Sequence, residues 1–444
     1  MIVCKFGGTS VGSADRFLAT ADRVVERRDR GCVAVVSAMA RVTRELDRLA
    51  LLAGEGRLGE ARSVLEGLRE RHRGAIVEAG VAGGEAAWAL AAVDEELARV
   101  DDLAVAAAAA GALAEPARDA ILATGELLSS RVLVAVLRSR GVDCEWIDPR
   151  DLIATDDRFG HARPDEREIE RRVAERAWPA LSSGRVVVTG GFVGRAPGGE
   201  TTILGWEASD YSATLLGAAL PAELVEIFSD VDGVYTADPR LVPGVRLVPR
   251  MSYAEATDLA FFGAKVLHPA TMVPVARRGV PVRIRNSFRP EHEGTLVSAA
   301  AGEAGSGPRA VAARGELSAA ELRTLVGSAC GARLLDELEG DDARRALAGE
   351  VVVPAPSGAA VELDLDHLAG EAGDLEAGLA LVAVVGGAWR PEVSATVETA
   401  LAGLPHLPVA RNGCQTHRCF AVAEARRCEA LERLERALCE EAPR

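Results

Sequence analysis

The sequence predicts an α/β protein with a mostly parallel sheet, followed by a smaller α+β module. Three observations lead there. Apolar runs of strand length alternate with longer segments whose apolar residues recur at three- and four-residue spacing. Turns rich in Gly, Ser and Asp follow the apolar runs directly, where ligands bind in such sheets, outside the carboxyl ends of the strands. A small-residue stretch at 299–309, Ala-Ala-Ala-Gly-Glu-Ala-Gly-Ser-Gly-Pro-Arg, reads as a linker between residues 1–298 and 310–444.

Taken in order, Ile2–Phe6 reads as a buried strand, and Gly7-Gly8-Thr9-Ser10 as a turn into a helix over Ala14–Arg28. Cys32–Val36 is a second strand that ends in Ser37-Ala38-Met39. From about Thr43 to Arg138 the chain has few breakers and a helical apolar spacing. Val142–Ile147 and Arg185–Thr189 are further strands; Gly190-Gly191, then Gly194 to Gly199 with Pro197, reads as a loop. Thr202–Leu204 leads through another loop to a helix starting near Asp210. Leu224–Phe228 is a strand ending in Ser229-Asp230, and Val280–Arg285 is a late strand. Beyond the linker come Glu350–Val353, Ala360–Leu363, Leu379–Val385, Ser394–Leu401, Cys419–Val422 and a last helix from Ala425.

Composition narrows the function. The chain has 444 residues, enough for two or three domains, with 48% apolar and 26% charged residues, as in ordinary globular proteins. A formal charge of −15 argues against a nucleic-acid or anionic-membrane partner. An acidic protein that binds polyphosphate needs local cations and usually Mg2+. The eight cysteines form neither a C-x-x-C pair nor a zinc spacing, which suggests reduced thiols and a cytoplasmic location. No apolar run is expected to span a bilayer, and the opening strand does not read as a signal peptide.

Of 51 Lys and Arg residues, only Lys5 and Lys265 are lysine. Chance could leave two surface lysines. Both, however, stand beside glycine in apolar surroundings, Lys5-Phe6-Gly7-Gly8 and Gly263-Ala264-Lys265-Val266. A lysine kept in an arginine-rich chain suggests a need for a compact, rotatable ammonium.

Lys5-Phe6-Gly7-Gly8-Thr9-Ser10-Val11 resembles the opening signature of aspartate kinases, members of the amino acid kinase fold. The resemblance continues in order through Val36-Ser37-Ala38-Met39 with Thr43, Thr124-Gly125-Glu126, Asp157-Arg158-Phe159-Gly160, Thr189-Gly190-Gly191-Phe192 and Ser209-Asp210-Tyr211-Ser212-Ala213. It extends through Ser229-Asp230-Val231-Asp232-Gly233-Val234-Tyr235-Thr236-Ala237-Asp238-Pro239-Arg240 and the Lys265 segment, and is closest to the monofunctional lysine-sensitive branch. It implies a three-layer amino-acid-kinase sandwich over 1–298 and transfer of phosphate from ATP to a side-chain carboxylate, with ATP and Mg2+ as cofactors. Lys5 and Asp210 are then catalytic. Gly7, Gly8, Ser10, Asp230, Tyr235, Asp238, Arg240 and Lys265 bind nucleotide, Lys265 from the far side of the phosphates. Ser37, Thr43, Glu126, Phe192, Trp206, Glu207 and Ser209 face the amino acid. No protein metal-ligand set is expected.

The physics agrees. Phosphoryl transfer asks for positioning and charge stabilisation. Glycines admit backbone N–H groups to phosphate, and a following helix N-terminus adds its dipole. Taken alone, the Asp230–Gly233 run could be a tight turn or a calcium loop, although the downstream EF-hand glutamate is missing. Taken alone, Glu126, Thr43 and Phe192 could be a carboxylate, a cap and a core residue, and His268 a structural histidine before Pro269.

The resemblance breaks at Gly205-Trp206-Glu207-Ala208-Ser209-Asp210, where the family has Gly-Arg-Gly-Gly-Ser-Asp. Its arginine holds a substrate carboxylate. Losing that partner should cost about 2–4 kcal/mol of binding. Glu207 adds an unfavourable charge, and Ala208 places a methyl group where positive φ could be needed. Two readings follow: a kinase for L-aspartate or an aspartate analogue, or a catalytically weak nucleotide-binding homologue acting as a regulatory or assembly partner. Nothing gives G-x-G-x-x-G after the first strand, which disfavours a dehydrogenase.

By the same resemblance, 310–444 is an ACT-like regulatory or dimerisation module. Leu379–Gly386, the helix near Val393–Leu404 and Cys419–Val422 match one unit, whereas 310–366 matches the other poorly. A homodimer through this module and weakened lysine inhibition are expected.

Overall fold

The structure is a computed structural model that describes residues 1–206, 208–264, 269–299, 308–317, 378–386, 391–409 and 417–439. The linker residues 300–307, most of the poorly matched stretch, and the strand candidates at 350–353 and 360–363 lie outside the described residues. The chain forms two compact units, Met1–Val231 with Val282–His292, and Asp232–Pro281 with Glu293–Arg444.

In the first unit, the strands are β1 (Ile2–Phe6), β2 (Cys32–Val36), β3 (Cys144–Trp146), β4 (Val186–Gly190), β7 (Leu224–Ser229) and β9 (Val282–Asn286), with a small hairpin of β5 (Val193–Arg195) and β6 (Thr201–Ile203). The large sheet runs β3-β4-β2-β1-β7-β9 with every pairing parallel. β1, β2 and β4 are buried at every position, as expected of parallel strands covered on both faces. The chain leaves β1 toward β2 on one side and returns as β7 on the other. This order change puts a ligand crevice at the carboxyl end of β1.

The helices are α1 (Ala14–Val25), α2 (Val42–Gly54), α3 (Leu58–Glu78), α4 (Gly83–Ala110), α5 (Glu115–Ser139), α6 (Pro149–Leu152), α7 (Glu166–Arg176), α8 (Trp178–Ser182) and α9 (Ser209–Ala219). By length and composition α5 could cross a bilayer, contrary to the expectation of no such run, but 89% of its apolar window is buried inside the protein. It is the core helix of this unit.

The loop expected at Gly194–Gly199 is partly strand. Val193–Arg195 pairs antiparallel with Thr201–Ile203, and Gly199, at φ 98, closes the turn by donating its N–H to Ala196 O. The glycines and proline marked the turn and hid the short strand before it.

The second unit contains β8 (Arg250–Met251) paired parallel with β10 (Thr295–Val297), and helices α10 (Tyr253–Phe261) and α11 (Met272–Arg278). Ser252 and Glu255 form a reciprocal capping box at the start of α10. An antiparallel sheet in the order β11-β12-β14-β13 joins Ala310–Leu317, Leu379–Val385, His417–Ala423 and His406–Val409. With α12 (Pro391–Ala400) and α13 (Arg427–Cys439) it forms the α+β module. Ala237 and Val242 enter the same apolar core as Val382, Leu401 and Leu434, and Thr236 donates its hydroxyl proton to buried Glu435.

Candidate active site

Lys5 lies on β1 in register with Val35 of β2 and Ile227 of β7, so the sheet fixes its stem. Its Nζ stands 2.7 Å from Asp210 Oδ1, with the two side chains 11% and 13% exposed. Asp210 occupies the first turn of α9, where the helix dipole favours a carboxylate. An ammonium has three donors, so this pairing leaves Lys5 able to bind phosphate oxygens.

The Gly7-Gly8 turn is close-packed. A Cβ on Gly8 would lie 2.8 Å from Ala38 O, and one on Gly7 would lie 3.6 Å from Lys5 Nζ. The N–H of Gly7 donates to Phe228 O, so this donor holds the turn to β7 instead of serving a phosphate. Phe6 and Phe228 stack beneath it at 5.0 Å between ring centroids. Ser10 Oγ is 2.5 Å from Ser287 Oγ, and Ser10 O accepts from Thr20, so Ser10 braces the turn. Asp230, exposed at the end of β7, accepts from the Ser229 hydroxyl.

Glu126, on α5, is the most unusual carboxylate in this unit. It is 3% exposed, and its Oε2 has no hydrogen-bond partner. Burial pushes its pKa up to about 8, against the backbone N–H groups of Ala38 and Glu126 itself and the positive charge of Lys5. Close backbone approaches create the setting: a Cβ on Gly190 would lie 3.0 Å from Glu126 Cβ, and one on Gly125 2.7 Å from Ala38 Cβ. The carbonyl of Ser37 accepts from the Ser129 hydroxyl at 2.7 Å. Thr43 is half-buried at the start of α2.

Phe192 is buried with φ 67, a left-handed conformation costly for a non-glycine residue. Two bonds hold it there: its N–H donates to Ser212 Oγ at 2.8 Å, and its carbonyl accepts from Leu204 N–H at 2.9 Å. Ser209 begins α9 hard against Gly191, where a Cβ would meet Ser209 Cβ at 2.7 Å. Trp206 is 47% exposed. Ala208 has φ −79, so its methyl group carries no backbone strain; among the described residues of this loop the positive φ falls on Gly205, at 103. Glu207 and Lys265 lie outside the described residues.

Lys5, Asp210, Glu126, Ser37, Phe192, Ser209 and the glycine turn therefore belong to the first unit. Tyr235, Asp238 and Arg240 belong to the second, where Tyr235 donates its hydroxyl proton to Asp232 and Arg240 forks onto Asp238. Sequence reading gave Ser212 no role beyond its place in the Ser209–Ala213 motif, and missed Ser129, which like Ser212 makes a backbone contact, and buried Asp119. Asp119 stands seven positions before Glu126 on the same stripe of α5, a spacing visible in the sequence.

An ammonium and a carboxylate locked together at the head of the sheet, a glycine turn and a buried acid define a small-molecule site at the topological switch of an α/β sheet. The chain belongs to the amino acid kinase family, which residues 1–286 match. Within it the similarity runs to aspartokinases. Lysine-sensitive aspartokinase 3 of Escherichia coli is 39% identical over 303 residues, covering 67% of this chain and 64% of the relative. A chloroplastic bifunctional aspartokinase/homoserine dehydrogenase of Arabidopsis thaliana is 36% identical over 296 residues, covering 66% of this chain and 32% of the relative. The matched regions thus span less than two thirds of these relatives. Among solved structures, E. coli aspartokinase III in complex with aspartate and ADP superposes with a TM-score of 0.78 at 32% identity, covering 99% of this chain and 100% of that one.

Proposed function

We propose that this chain is an ATP-dependent kinase that phosphorylates the side-chain carboxylate of L-aspartate or an aspartate analogue. The Lys5–Asp210 pair carries the reading, at 2.7 Å at the end of the central strand. A carboxylate oxygen of the acceptor attacks the γ-phosphorus, the bond to the β,γ-bridging oxygen breaks, and ADP leaves with its electron pair. No proton need move. Lys5 stabilises the charge on the transferring group, and Asp210 holds the ammonium in place. Glu126 accepts the acceptor's ammonium group. A cation there satisfies its unpartnered Oε2 and draws it into the ionised form.

Exposed Asp230 suits a magnesium ion that arrives with the phosphates, since Mg2+ is usually held by one or two carboxylates plus phosphate oxygens. Bound there, the ion would neutralise phosphate charge. Similarity to the aspartokinases supports assigning Tyr235, Asp238, Arg240 and Lys265 to the nucleotide, and Ser37, Thr43, Phe192, Trp206, Glu207 and Ser209 to the amino acid. The same similarity supports residues 1–298 as the kinase domain and 310–444 as an ACT-like module, through which the chain forms a homodimer.

The test is ATP turnover with Mg2+ across L-aspartate and a panel of analogues altered at the α-carboxylate, with acyl phosphate trapped by hydroxylamine. Turnover of L-aspartate or an analogue is expected. Nucleotide binding without product from any acceptor would replace this reading with a non-catalytic partner.

A further inference from the structure

Asp119 is 1% exposed, near the start of α5. Both of its oxygens accept the N–H of Gly160, at 2.9 and 3.0 Å, and Oδ2 also accepts the N–H of Ile203 at 3.1 Å. The neighbouring Arg118 binds Asp47 instead. Burial raises the Asp119 pKa to about 6, against the pull of the two backbone donors. A buried carboxylate served by neutral donors is an expensive way to satisfy two amides.

Those two amides belong to separate segments that meet here. Ala162 N–H donates to Ile203 O at 2.8 Å, and a Cβ on Gly205 would lie 4.0 Å from Gly160 O. After Ile203 the chain runs through Leu204, bonded to strained Phe192, to Trp206 and into α9 with Ser209 and Asp210. The other end of the connection is α5 itself. Seven residues further along the same stripe, about 10 Å away, stands Glu126.

We propose that Asp119 is a positioning residue for the amino-acid end of the site: it ties the 203–206 segment and the 157–160 turn to the helix that carries Glu126. It thereby sets the distance between Glu126 and the loop that replaces the family's arginine. This rests on the kinase reading above. Asparagine at position 119 keeps the shape but offers a single acceptor oxygen and adds donors facing two N–H groups.

The experiment uses the full chain with Asp119→Asn, and Asp47→Asn as a control for the neighbouring surface pair. Amide exchange and steady-state kinetics are both measured. Expected are faster exchange confined to 157–163 and 203–206, a KM for the amino-acid acceptor raised about tenfold or more, and KM for ATP within about twofold of wild type. Asp47→Asn should change neither. If Asp119→Asn does not fold, Asp119→Glu carries the same test, because it keeps a carboxylate but moves both acceptor oxygens by one bond from the two N–H groups. Unchanged local exchange with unchanged acceptor KM would overturn the proposal. So would a rise in exchange across the whole unit with both KM values altered alike, which marks a merely structural acid. Absence of turnover by wild-type protein would refute the kinase reading, and the exchange result would still decide whether Asp119 holds the two segments.

Discussion

Replacing Glu126 with Gln tests the substrate end of the site through its pH dependence. In the folded protein the Glu126 pKa is raised to about 8 by burial, from an ordinary value of 4.5. At pH 6 about 1% of such a group is ionised, and at pH 8 about half. Only the ionised form pairs with an ammonium group. Acceptor kcat/KM, which reports the free enzyme, should therefore rise about fiftyfold from pH 6 to pH 8 in wild type. Glu126→Gln should lose that rise and stay at or below the wild-type pH 6 value. Stability of the unliganded protein moves the opposite way. The native state binds this proton more tightly than the unfolded chain, so the unfolding free energy falls as pH rises from about 4.5 to about 8, by at most about 5 kcal/mol. Glu126→Gln should flatten that slope, and saturating acceptor should offset it. Initial rates across pH 5.5–9 and denaturant melts over the same range make the measurement. A Gln variant that keeps the wild-type pH rise in kcat/KM would refute the assignment.

Three further outcomes follow from the geometry. Lys5→Arg should lose turnover almost as completely as Lys5→Ala, by about a thousandfold, because a planar guanidinium cannot replace the ammonium between Asp210 and the Gly7 turn; single-turnover kinetics reads this. Trp206→Arg should lower the KM for L-aspartate by about thirty- to several-hundredfold, and competition assays between L-aspartate and α-carboxylate-modified analogues check the shift. Gly191→Ala should destabilise the first unit by about 1–3 kcal/mol, since its methyl group would stand 2.7 Å from Ser209 Cβ; thermal melts measure this, along with a parallel loss of rate from displacement of α9.

The parallel core was legible because β2 is a continuous apolar run, and β1 and the Leu224–Phe228 part of β7 are apolar except at Lys5 and Glu226, each run followed directly by Gly or Ser. The residues alone show Lys5 and Asp210 as two motifs far apart in sequence; the family resemblance implies that Asp210 orients Lys5, and the two groups stand 2.7 Å apart. The β5–β6 hairpin was not legible, because strands of three residues carry too little periodicity beside a glycine-rich turn. Nor was the strain at Phe192. No residue type announces it, and it exists because Ser212 and Leu204 hold the peptide from both sides. Asp119 was hidden for another reason: inside an apolar helix it looks like an ordinary polar interruption, and its partners are backbone amides, which leave no mark on the sequence. Of the costs expected in the divergent loop, the one at Ala208 is absent. The methyl group of Ala208 sits at an ordinary φ, and the departure lies in the exposed ring of Trp206.

The most direct test of the account is phosphoryl transfer itself, followed by 31P NMR with MgATP, L-aspartate or the best analogue, and an 18O-labelled acceptor carboxylate. The account predicts an acyl phosphate whose phosphorus carries the acceptor's 18O, formed in step with ADP and absent with Lys5→Ala. ATP consumption without 18O bonded to phosphorus, or equal product from the Lys5→Ala variant, would contradict it.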